Sequence, residues 1–184
     1  MVKRTTLVCG FTLCMAFLVP VATFAQAGTM TATPATSPST SLAVTVDSKT
    51  TVFKVAELQS MPQKTIKVHN AHNNAEESYT GVALGDLLAK AGFVADKTTQ
   101  KRMLHSYLKA EGTDHYWVLY SLTEAEPSEH LGDLIVATAM DGKPLGGDGA
   151  FKLVSTEDKK PQRWVRNLAA ITLKSVDYPG PLGR

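Results

Sequence analysis

The sequence predicts an α+β domain: a mixed, strand-rich sheet served by a few short helices. Three observations predict it. Short segments rich in Val, Ile and Thr, such as Leu42-Ala-Val-Thr-Val46 and Lys64-Thr-Ile-Lys-Val68, recur along the chain. The helical patterns are brief and do not alternate regularly with the strands, which argues against a doubly wound nucleotide fold. Length sets the rest: 184 residues, 43% hydrophobic and 20% charged, suit one core and are too few for two of ordinary size.

Taken in order, Leu42 to Val46 reads as the first strand of this domain. Val55 to Met61 is a short helix that stops at Pro62, where the ring removes a donor and clashes with the preceding turn. Lys64 to Val68 alternates polar and apolar residues and reads as a half-buried strand. A polar loop, His69 to Glu77, leads to a brief strand over Ser78 to Val82. Leu84, Leu87, Leu88 and Ala91 then fall at i, i+3, i+4 and i+7, one face of a helix, and Gly92 stands where a left-handed cap belongs. Met103 to Lys109 and His115 to Leu122 flank a turn and suggest a hairpin, which puts His105 and His115 in strands. Leu134 to Met140 is short and apolar throughout, as a strand covered on both faces should be, and Asp141-Gly142 marks a tight turn after it. Ala150 to Ser155 and Leu168 to Lys174 complete the set.

The ends have a different composition. Residues 1–27 read as an export signal: Lys3 and Arg4, an apolar stretch from Leu7 to Ala22, then Ala25-Gln26-Ala27 for cleavage. The expected location is the periplasm or the exterior, with no membrane insertion once the signal is removed. Residues 28–41 are a flexible Thr/Ala/Pro/Ser linker, residues 42–176 the globular domain, and residues 177–184 an irregular tail. Both cysteines, Cys9 and Cys14, precede the cleavage site, so the mature chain has no thiol for a disulfide or a metal. Removing Lys3 and Arg4 from the 19 basic residues leaves 17, equal to the 17 acidic ones. A neutral domain with no basic block has little electrostatic reason to bind nucleic acid.

Three segments are candidates for chemistry. His69 and His72 have the H-x-x-H spacing of two metal ligands; the bland reading is a solvated loop pair, because no cysteine lies near. Gly146-Gly147-Asp148-Gly149 is glycine-rich, lacks the lysine of a phosphate loop, and reads as a flexible hairpin loop. Asp158 to Arg166 holds four cations around Trp164. Arginine grips anions through paired hydrogen bonds and tryptophan stacks on planar rings, which would suit a phosphorylated heterocycle. A cation–π contact with exposed charge on an edge strand explains the same residues.

Three motifs together resemble the molybdopterin-binding domain of the sulfite oxidase family. They are Tyr79-Thr-Gly-Val-Ala-Leu-Gly-Asp-Leu-Leu88, then Asp141-Gly-Lys-Pro-Leu145, then Gly149-Ala-Phe-Lys-Leu-Val154 with Arg163-Trp-Val-Arg166. Their order and spacing run over about residues 50 to 175. The resemblance implies a sulfite-oxidase-like fold and molybdopterin as the cofactor. It places Lys160 and Arg163 at the basic positions that hold the pterin, with Trp164 beside them and His69 near the metal; His72 is a second metal-ligand candidate through the H-x-x-H spacing alone. The sequence departs from the family at the molybdenum ligand, since Val68-His-Asn-Ala-His72 has no cysteine where the family has one. Two functional readings follow: an exported molybdopterin oxidoreductase or a component of one, and a non-catalytic binding module for a small anionic or pterin-like ligand that kept the fold without the metal. A purely structural interaction domain is a third. None names a substrate or a redox partner.

Overall fold

A computed structural model describes residues 37–176. Residues 1–27, read above as an export signal, most of the segment read as a linker, and residues 177–184 lie outside the described residues. Two five-stranded sheets form the domain. The first contains β1 (Leu42–Val46), β2 (Lys49–Phe53), β5 (Ser106–Gly112), β6 (Trp117–Ser121) and β10 (Leu168–Ser175), in the order β2-β1-β10-β5-β6. The second runs β3 (Lys64–Asn70), β4 (Ala75–Ala83), β7 (Leu134–Met140), β8 (Lys143–Pro144), with β9 (Lys152–Ser155) also on β7. The β1–β10 pair is parallel and every other pair antiparallel, so the first sheet is mixed, as the sequence predicts. Three short helices accompany them: α1 (Val55–Gln59), α2 (Leu84–Lys90) and α3 (Gln100–Leu104).

Helix α2 presents the expected face. Leu84, Leu87, Leu88 and Ala91 are all buried, and Gly92 ends the helix at a φ of +107°, a region that costs glycine nothing and L residues something. The apolar β7 is buried on both sides, also as expected. Leu134 and Val136 join the large cluster that includes the inner face of the first sheet and α2, whereas Ile135 and Ala137 join a smaller cluster with Tyr79, Val154 and Trp164. Gly81 lets β4 approach β7: a Cβ there would collide with the backbone of Val136 and Ala137.

Four expectations need correction. The polar loop after Val68 shrinks to residues 71–74, because His69, Asn70 and Ala75 to Glu77 continue a β3–β4 hairpin in register. Met103 is a buried residue of α3, and the strand that follows starts only at Ser106; His105 caps the helix. His115 stands in the β5–β6 turn with a positive φ of 63°, not in a strand. The end of the linker is not free either. Thr113 donates to the Ser37 carbonyl at 2.7 Å and Ser39, only 4% exposed, receives the Ala150 N–H. The backbone groups of Ser37 and Ser39 find partners on the domain, and that anchors this end.

Candidate functional site

The candidate residues gather around the smaller cluster, where the β3–β4 hairpin, β9 and residues 158–166 meet. The centre is a buried polar chain. Lys152, on β9, donates to Tyr79 Oη and Asp148 Oδ2, each at 2.7 Å. Tyr79 donates in turn to Glu77 Oε2 at 2.7 Å, and Glu77 also accepts from Asn73 at 2.7 Å and Asn70 at 3.0 Å. The lysine lies 4.7 Å from the Tyr79 ring centre and 5.7 Å from that of Trp164. Burial pushes the Glu77 carboxyl up, but the bonds from Tyr79, Asn73 and Asn70 and the Lys152 charge outweigh it, so it titrates below the ordinary glutamate value. Burial, then the Glu77 carboxylate, drives the Tyr79 phenol far upward, which keeps it a proton donor. The Gly146–Asp148 segment, read as a flexible loop, is a single 3-10 turn whose Asp148 is one end of this chain.

The basic segment is folded inward and is not a strand. Pro161–Arg163 is a 3-10 turn. Trp164 is 5% exposed, packs edge-on against Tyr79 at 6.0 Å, and donates Nε1–H to the Ser155 carbonyl at 3.2 Å. Its ring is core and offers no face to a ligand in solution. Arg163 points at two carboxylates: Nε and Nη2 reach Asp158 Oδ1 at 2.9 and 2.6 Å, and Nη2 reaches Glu124 Oε2 at 3.0 Å. Its guanidinium carbon lies 4.4 Å from the Tyr120 ring centre. Burial works to lower the arginine, and Glu124 and Asp158 more than reverse that, so it stays charged. Asp158 Oδ2 is buried and accepts no hydrogen bond among the described residues.

The other candidates lie at the surface. His69 is exposed on the hairpin and pairs through Nδ1 with Glu76 Oε1 at 2.8 Å, the residue opposite it in register. Its neighbours Ile66 and Val68 take the inward positions of β3. His72, at the hairpin tip, and Lys160 line one groove of about 420 Å³ together with Ala71, Pro161 and Gln162. Thus the structure brings Lys160 and His72 together, and leaves His69 outside that groove. Among the described residues no three His, Cys, Asp or Glu side chains converge to hold a metal. Sequence reasoning missed Glu77, Tyr79, Asp148 and Lys152 as a unit. The available signal was Lys152 itself, a lone cation inside the apolar run Phe151-Lys-Leu-Val154.

A second concavity of about 650 Å³ lies beside α2, lined mainly by apolar residues such as Leu88, Phe93, Met103 and Leu122, with Asp86 and Glu126 at its walls. It shares no lining residue with the Lys160–His72 groove.

These features define a strand-rich α+β domain with the sulfite-oxidase-like fold that the sequence motifs imply. Among solved structures, the sulfane dehydrogenase SoxCD from Paracoccus pantotrophus is similar, with a TM-score of 0.57 and 19% identity over 75% of this chain. The likeness spans 39% of that chain, so it concerns a part of the larger protein, and it shows the fold alone. No family profile matches the sequence. No curated protein matches it.

The donor set does not fit a molybdopterin centre held as the resemblance implies. The domain has no thiolate for the metal. A phosphate brought to Arg163 would meet the carboxylates of Asp158 and Glu124 already bonded there, one of them with an unsatisfied acceptor oxygen. An acceptor in that place repels an anion.

Proposed function

We propose that this chain is an exported, non-catalytic binding module: a sulfite-oxidase-like domain that takes a small anionic ligand at the Lys160–His72 groove without a molybdenum centre. The observation that carries the reading is Arg163. Of the two residues that match the family's basic positions, Arg163 is neutralised by Asp158 and Glu124, while Lys160 is exposed at a groove and makes no ion pair among the described residues. Export is part of the same proposal, supported by the charge, apolar stretch and small-residue site of residues 1–27.

Calorimetry with inorganic phosphate and with a phosphorylated pterin tests it. Lys160→Ala removes a charge-assisted hydrogen bond and should weaken binding about ten- to a hundred-fold. Arg163→Lys, which keeps a cation between the two carboxylates, should leave affinity near that of the parent. The fold likeness to a dehydrogenase supports the second reading, a component of a molybdopterin oxidoreductase with Lys160 and Arg163 on the phosphate and His69 near the metal. In that case Arg163→Lys loses affinity as well, because lysine cannot reproduce the two-pronged grip.

A further inference from the structure

Five strands have an open side: β2 and β6 in the first sheet, and β3, β8 and β9 in the second. The outer side of β9 is partly covered, since Leu153 N–H donates to the Val165 carbonyl at 3.0 Å, and three of the others carry charge or proline. β2 carries Lys49, β3 carries Lys64 and Lys67, and β8 is only Lys143-Pro144. Such residues discourage another chain from pairing with the open backbone. The remaining edge, β6, reads Trp117-Val-Leu-Tyr-Ser121, with neither charge nor proline. Two of its three outward side chains are large and apolar, Trp117 at 53% and Leu119 at 46% exposure, and the third is Ser121. Val118 and Tyr120 point into the core.

The backbone of this edge is also free. Gly112 N–H donates to the Tyr116 carbonyl at 2.9 Å, which makes that rung a hydrogen-bonded one. Rungs alternate in an antiparallel pair, so the β5–β6 register makes Ala110–Val118 and Leu108–Tyr120 hydrogen-bonded too. The N–H and C=O groups of Trp117, Leu119 and Ser121 therefore face away from β5. Glu124 Oε1 takes the Ser121 N–H at 2.9 Å, and among the described residues no other backbone pairs with Trp117 or Leu119.

We propose that β6 is where a second copy of this chain pairs, antiparallel, about a two-fold axis at Leu119. The strand is self-complementary in that register. Each Leu119 would exchange both backbone bonds with its mate, and each Trp117 N–H would reach the mate's Ser121 carbonyl. The Ser121 N–H is already taken by Glu124, so it does not reach the mate's Trp117 carbonyl, and the ladder holds four of its six backbone bonds. Directly opposed residues share a face, so the Leu119 side chains meet on the outer surface while Val118 and Tyr120 keep their inward places. Charge agrees with a homotypic contact. The flanking cation Lys109 lies one strand in, opposite Leu119. The two lysines would be three strand spacings apart, about 14 Å, beyond the screening length of about 8 Å at physiological salt.

Sedimentation equilibrium and amide hydrogen exchange on the exported protein test this. The parent should show a monomer–dimer equilibrium, and the amides of Trp117 and Leu119 should exchange more slowly as protein concentration rises. Leu119→Lys places two cations in direct opposition and should weaken the dimer about tenfold or more, while Val52→Lys, on the β2 edge, should leave it unchanged. If Leu119→Lys fails to fold, Trp117→Lys reads the same contact. A parent that stays monomeric, an assembly larger than a dimer, or equal losses from the β2 and β6 variants overturns the proposal. So does protection of Leu119 that is independent of concentration, which would assign the edge to another segment of the same chain.

Discussion

The two hydrophobic clusters are held by different physics. The larger, between the first sheet and α2, consists of Leu42, Val44, Leu87, Leu88, Ile171 and similar residues, with no buried charge among them. The smaller, on the far face of β7, surrounds Lys152 and borders the chain that ends at Glu77 and Asp148. Apolar packing tolerates volume-conserving change and is indifferent to pH. A buried ionic chain tolerates neither the loss of one member nor its titration. The same small cluster holds the residues that most resemble a cofactor grip, and there their charges are spent on each other.

The largest expected effect breaks the ionic side. Lys152→Ala leaves Asp148 and Glu77 without their cation and should cost about 3–5 kcal/mol in urea unfolding. An unchanged midpoint would mean that the lysine is not buried among those carboxylates. On the apolar side, Leu88→Ala should cost about 2–5 kcal/mol, with the same penalty at acid and neutral pH. Arg163→Ala strands the nearly buried Asp158 and should cost about 1–3 kcal/mol, the lower end reflecting a guanidinium that is 36% exposed. The smallest effect is a pH dependence. Glu77 titrates below the ordinary value of 4.5, so the stability it contributes is present above 4.5 and is lost as pH falls through its folded value. Glu77→Gln should remove that component, making the acid limb of the stability curve shallower than the parent's. A parallel limb would place the acid sensitivity elsewhere.

What the sequence disclosed follows the same division. Periodicity located Leu84, Leu87, Leu88 and Ala91 on one buried face, and an unbroken apolar run located β7, because both signals come from burial against many neighbours. It did not disclose β2, whose turn is Asp47-Ser48 with positive φ at both residues, nor α3, five residues with a weak apolar period. The site was half legible. Motif spacing brought attention to Lys160, Arg163 and Trp164, and the structure does bring Lys160 beside His72. It could not show that Arg163 meets Glu124, 39 residues away, or that Lys152 meets Tyr79, 73 residues away. Pairings of that range are set by sheet topology, which no local pattern encodes.

Molybdenum and pterin content of the purified protein tests the central claim most directly, by elemental analysis alongside the fluorescence of released pterin. Arg163 neutralised by Asp158 and Glu124, in a domain without thiolate, predicts neither molybdenum nor pterin at a meaningful fraction of the protein. Stoichiometric molybdenum with released pterin would contradict the account, and would require the Arg163 ion pairs to open when the cofactor is loaded.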